Sequence, residues 1–225
     1  MSRPRAVLFD IDGTLISTGG AGARSWRYAF EELHGIPADI GEFTDAGMTD
    51  PTVARLTFKS AVGHEPSARE VATVMAAYLD RLPYEVEHSD KYRVLDGAEE
   101  LLKRLGQEGV LLGITSGAVE AAAHIKLSRA GFNRYFPFGG YGSDSGDRTE
   151  LTKYALARGE RLLGEKLDPK QVLVVGDTPK DLDAAHGAGC VAVGVATGHY
   201  SREQLDEAGA DVVLDSLREP FPGVD

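Results

Sequence analysis

The sequence predicts an α/β protein: a mainly parallel, Rossmann-like sheet flanked by helices, with an inserted α-helical cap. Three observations carry this. Short apolar runs recur along the chain, and most are followed by helical periodicity, the alternation that builds a parallel sheet covered on both faces. After the first run the alternation stops, and three helical patterns pass before it resumes. The chain has 225 residues, 42% hydrophobic and 26% charged, enough for one sizeable core carrying a smaller insertion.

The first strand falls at residues 6–9, and Gly13 marks a turn beyond it. Trp26, Phe30 and Leu33 then predict one helix, and Val53, Leu56 and Ser60 a second. A third carries Val71, Val74, Met75, Tyr78, Leu79 and Leu82, opened by the capping-box spacing of Ser67 and Glu70. Gly19, Gly20 and Gly22 on one side and residues 83–93 on the other are the expected hinges. The predicted division is an α/β core of residues 1–17 and 93–225 and a helical cap of residues 18–92. Asp96 is expected to cap a helix bearing Ala98, Leu101, Leu102 and Leu105, and Ser201 with Gln204 opens another. The remaining strands are predicted at residues 110–114, 136–138, 172–175, 190–195 and 212–214.

A net charge of −11 without a basic stripe argues against nucleic acid as a partner. The same charge requires any small anionic substrate to find a local cation. No apolar run approaches the roughly 20 residues of a membrane span. The two leading arginines are followed by an acidic strand end rather than a secretory core, so a cytoplasmic location is expected. Cys190 is the sole cysteine, expected as a small core residue without redox function.

Chemistry gathers where strands end. In AVLFDIDGTL the first strand runs into Asp10, Asp12 and Gly13, at the carboxyl edge where open parallel sheets place ligands. Two carboxylates this close repel each other and invite a cation. In VVGDTPKDLDAA a second strand ends before Asp177, a candidate oxygen ligand for Mg2+, and Asp181, suited to orient a water or a cation behind it. A third strand ends in Thr115, Ser116 and Gly117, whose hydroxyls and backbone N–H groups suit phosphate oxygens. Each stretch alone reads equally as a turn or a helix cap; three on one sheet edge point to a site.

With DIDGT at 10–14, ITSG at 114–117 and GDTPKD at 176–181, the chain resembles the haloacid dehalogenase-like hydrolase superfamily, particularly its phosphoglycolate-phosphatase-like members. The resemblance implies Asp10 as nucleophile, Asp12 as acid/base, Thr115 as phosphate-binding hydroxyl, and an acidic metal motif at Asp177 and Asp181. It also implies Mg2+ ligated by Asp10, the Asp12 backbone carbonyl and Asp177. The family's lysine after the second motif is missing, and in GSDSGDRTEL Arg148 stands near its position; arginine's planar fork is not equivalent to an ammonium. Lys126 and Lys153 are the rival cations, each read as a solvated helix residue.

Gly13, Ser116, Gly117 and Thr49 are the expected substrate contacts, with Arg24 and Asp50 as further cap candidates; Thr49 and Asp50 also suit a helix start before Pro51. His64, His124, His186 and His199 show no metal-ligand spacing. The expected function is Mg2+-dependent hydrolysis of a small phosphorylated metabolite. The alternatives are a phosphosugar mutase, a phosphonate hydrolase, for which no cap lysine is evident, and a catalytically silent binding or regulatory protein. A dinucleotide-binding reading is weaker, because Gly20–Ala21–Gly22 lacks the third glycine. The sequence leaves the oligomeric state open.

Overall fold

The computed structural model describes residues 3–42 and 47–224. Among them, six strands form a sheet: β1 (Ala6–Phe9), β4 (Leu111–Ser116), β5 (Gly139–Tyr141), β6 (Val172–Gly176), β7 (Val191–Val195) and β8 (Val212–Leu214). All neighbours are parallel, in the spatial order β5-β4-β1-β6-β7-β8. Parallel neighbours need crossover connections. Helices α4 (Ala98–Gln107), α5 (Glu120–Ser128), α6 (Arg148–Leu163), α7 (Pro179–Gly187) and α8 (Arg202–Glu207) lie between successive strands of the fold.

β1 is buried on both faces because its alternate side chains enter two different cores. Val7 and Phe9 join the cluster that holds Leu112, Ile114, Leu102 and Ala122, whereas Ala6 and Leu8 join Val174, Ala155 and Leu182. Phe9 is in register with Ile114 on one side and Val175 on the other, so Asp10, Thr115 and Gly176 stand level at the carboxyl edge.

Beyond β1 the chain turns at Gly13, whose φ of 85° favours glycine, and enters β2 (Ile16–Ser17). β2 pairs antiparallel with β3 (Arg93–Val94), Ile16 opposite Val94. Between these two short strands lie α1 (Ala21–His34), α2 (Asp50–Val62) and α3 (Ala68–Glu87). Their apolar faces form one cluster with a face of the sheet; within it Trp26 stacks on Tyr78, centroids 4.0 Å apart. The Ser89 hydroxyl donates to the Thr18 carbonyl at 2.8 Å, tying the two ends of the helical segment together. No helix among the described residues is long and apolar enough to cross a membrane.

Four expectations about elements are corrected. The strand predicted at residues 136–138 begins at Gly139; Phe136 instead packs edge-on against Phe9, 6.2 Å between centroids. Pro83 does not end α3, which runs on to Glu87 with Pro83 on its exposed side. A proline there removes one backbone hydrogen bond without ending a helix held by its buried face. Gly97, at φ 83°, rather than Asp96, precedes α4, and the Asp96 carboxylate faces Arg218 at 3.7 Å. Leu33 and Leu56 are exposed, and Phe58 takes the buried position on α2. The Ser67–Glu70 and Ser201–Gln204 capping boxes both form.

Candidate active site

Numbered in chain order, the six strands of the large sheet read 3-2-1-4-5-6 across it. The order reverses at β1, and open α/β sheets bind ligands beyond the carboxyl ends of the strands at such a reversal. A cavity of about 370 Å³ lies there, within the range that suits small ligands. Its walls bring together Asp10, Asp12 and Gly13 after β1, Ser116 at the end of β4 and Gly117 beyond it, Arg148 at the start of α6, and Asp177 after β6.

Asp10 is held by its backbone N–H, which donates to the Val175 carbonyl at 2.9 Å. Burial raises the pKa of its carboxyl, Arg148 opposes that rise, and Asp12 adds to it. The Arg148 guanidinium lies 3.3 Å from Asp10 Oδ1 and also contacts Asp181, so one cation bridges the first and last acidic stretches. The Asp12 carboxylate accepts from Thr18 Oγ1 at 3.2 Å and from Lys126 Nζ at 2.6 Å.

Asp177 Oδ1 accepts from the Thr14 hydroxyl at 3.2 Å. Burial first, then the nearby Asp10, pushes its pKa up to about 7. A Cβ at Gly13 or at Gly198 would collide with this carboxylate, so both glycines leave it room. The Asp181 side chain accepts from the backbone N–H and hydroxyl of Thr178, at 3.1 and 2.7 Å, at the start of α7.

Oxygens of Asp10, Asp177 and Asp181 lie within 4.8 Å of one another, all three residues buried. Asp181 spends its oxygens on Thr178 and Arg148. Asp10 and Asp177 therefore form the pair suited to a hard divalent cation, which takes one or two carboxylates and otherwise keeps water. The donor set fits: two buried carboxylates raised by desolvation, that of Asp177 also by the neighbouring Asp10, are the groups a cation would stabilise.

Three expected site residues stand elsewhere. Thr115 is not on the cavity wall; its hydroxyl lies 3.1 Å from that of Thr152 on α6, because strand alternation turns Ser116, not Thr115, into the crevice. Thr49 is buried as the residue before α2, its hydroxyl 2.9 Å from that of Thr52. Arg24 is not on the cavity wall; it pairs with Glu85 at 2.7 Å and donates to the carbonyl of Gly19, which is.

Lys126 is a correction in the other direction. Expected in solvent, its side chain is only 10% exposed and meets Asp12. The buried positions of α5 are Ala122, Ala123, Lys126 and Leu127, so a lysine on the apolar stripe was the signal. Lys153 is exposed and paired with Glu150, as expected of a solvated residue.

Other wall residues were not singled out for the site. Thr197, Gly198 and His199 follow β7 as a fourth polar strand end, and Thr197 donates to the Gly13 carbonyl at 2.6 Å. Arg93 contributes from β3. Asp50, weighed as a cap contact, also lines the cavity, and it locks α2 to the loop after β4: its N–H donates to the Gly117 carbonyl at 2.8 Å and its Oδ2 accepts from Val119 N–H at 2.9 Å.

A parallel sheet whose order reverses at β1, with three carboxylates and a bridging guanidinium at the reversal, places this chain among the open α/β proteins that gather their polar groups at the carboxyl edge. Residues 4–189 match the model of the haloacid dehalogenase-like hydrolase family, and the chain belongs to that family. Tyrosine-protein kinase PtkA of Mycobacterium tuberculosis is 29% identical over 226 residues, spanning 96% of this chain and 72% of its own. Phosphoglycolate phosphatase of Pseudomonas fluorescens is 28% identical over 221 residues, spanning 98% and 79%. Among solved structures, CbbY of Rhodobacter sphaeroides in complex with phosphate superposes with a TM-score of 0.75 at 23% identity, covering 96% of both chains, a likeness of fold.

Proposed function

We propose that this chain is a Mg2+-dependent phosphatase that hydrolyses a small-molecule phosphate monoester through an aspartyl-phosphate on Asp10. The observation that carries the reading is the meeting of Asp10, Asp177 and Arg148 in one buried crevice. Membership of the hydrolase family and similarity to a phosphoglycolate phosphatase support it. Mg2+, with Asp10, the Asp12 carbonyl and Asp177 as ligands and Asp181 behind them, would offset the negative charge that the carboxylates share with a phosphate.

Asp10 Oδ attacks phosphorus while the bond to the leaving oxygen breaks, and Asp12 gives that oxygen a proton. Water then attacks the aspartyl-phosphate, Asp12 takes its proton, and inorganic phosphate leaves. Arg148 neutralises Asp10 and the transferring group, because positioning and charge stabilisation carry most of phosphoryl-transfer catalysis. Backbone donors of Ser116 and Gly117 and the Ser116 hydroxyl hold phosphate oxygens. Residues 18–92 act as a cap that excludes water and, through Asp50 and Met48, meets the leaving group.

The test is release of inorganic phosphate from a panel of small phosphate monoesters in the presence of Mg2+. Release by the parent chain and its loss in Asp10→Asn are the expected results. Turnover that survives Asp10→Asn, or no release across the panel, would overturn the reading. An isomeric phosphate without release would instead indicate a mutase, and phosphate appearing on tyrosine would indicate a kinase.

A further inference from the structure

Two of the cations that line the cavity attend different carboxylates. Arg148 lies against Asp10 and Asp181. Lys126 reaches Asp12 from α5, with Nζ 2.6 Å from Oδ2 and its side chain only 10% exposed. Burying an ammonium is costly unless it is paired.

The mount is rigid. The Tyr92 hydroxyl donates to the Lys126 carbonyl at 2.9 Å, fixing the turn of α5 that carries it. Asp12 itself keeps 41% of its side chain open toward the cavity, and its second oxygen accepts from Thr18 at 3.2 Å. A carboxyl group on a loop is thus held by two donors, one on each oxygen, while part of it stays open to the cavity.

We propose that Lys126 is a positioning residue for proton transfer: it holds Asp12 where the oxygen of the departing alcohol comes within hydrogen-bond reach. The inference rests on the phosphatase reading above. Its consequence is selective. A general acid matters in proportion to how poorly the leaving group departs unprotonated; a cation that bound phosphate would matter equally for every ester.

The measurement is kcat/KM, which reports the steps through departure of the leaving group, for the full chain with Mg2+ on two substrates. Ethyl phosphate has a leaving group that needs protonation, and p-nitrophenyl phosphate has one that does not. Lys126→Met, which keeps the packing volume, is expected to lose about 10²-fold on ethyl phosphate and less than about 5-fold on the nitrophenyl ester. Thr18→Val removes the other donor and is expected to shift the same ratio in the same direction, so a Lys126→Met protein that failed to fold would not end the test. Equal losses on both esters would overturn the positioning role while leaving the phosphatase reading intact. A parent chain inactive on these and on the wider panel would remove that reading and this inference together.

Discussion

Asp177 is defined as much by what its neighbours lack as by what it touches. Side-chain atoms at Gly13 or Gly198 would occupy the space of its carboxylate, so two separate loops keep clear of one acid. Gly198→Ala is therefore expected to displace that carboxylate and weaken Mg2+ binding by about 10-fold or more, the scale of lost support around a metal ligand, as read by titration calorimetry. An unchanged affinity would remove Asp177 from the ligand set. The acids were legible in the sequence because each interrupts an apolar strand, a polar group where burial makes one costly. Lys126 was not, because a lone lysine in a helix usually extends into solvent. Its place on the stripe of Ala122, Ala123 and Leu127 acquires meaning only once Asp12 is known to face it.

At the scale of elements, β5 shows how an edge strand is secured when its own residues are mostly glycine. Gly140 sits against the Leu151 carbonyl, and α6 crosses too closely for a Cβ. A Gly–Gly pair carries little strand propensity of its own, and the strand was expected three residues early, on the phenylalanines. The pair Asp144–Arg158 closes this edge. Two hydrogen bonds of 2.6 and 2.8 Å join them, Asp144 accepts from Tyr141 N–H at 3.0 Å, and Arg158 donates to the Gly139 carbonyl at 2.6 Å. Burial would raise the Asp144 carboxyl, but Arg158 outweighs it and holds it below the usual range. A depressed carboxyl contributes stability in full above its unfolded value of about 3.9 and loses it as pH falls through the folded value. Asp144→Asn is expected to cost about 1–2 kcal/mol at neutral pH, allowing for solvent around Arg158, or roughly 2–8 °C in Tm. Thermal melts should show that gap steady from pH 8 to 5 and closing below about pH 4. A gap independent of pH would mean that packing, not charge, secures the edge.

Across the whole molecule, the sheet and its core were legible because fully buried parallel strands leave continuous apolar runs. The connection between residues 18–92 and the rest was not, because it depends on two-residue strands too short to carry a periodicity. Arg129 strengthens that connection: it donates to the carbonyls of Val86 and Ser89 at 2.8 and 2.9 Å and stands over the Tyr92 ring, 4.7 Å from its centre. Arg129→Ala is expected to speed amide hydrogen exchange several-fold at the end of α3 and through residues 88–92, while β6 and β7 keep their protection. Uniform acceleration would show that the contact supports global stability instead. The ribbon of Ile16 beside Val94 makes the outward and homeward paths of the chain neighbours. Because the segment leaves and rejoins the platform at one place, its presence asks nothing of the order in which the six parallel strands lie.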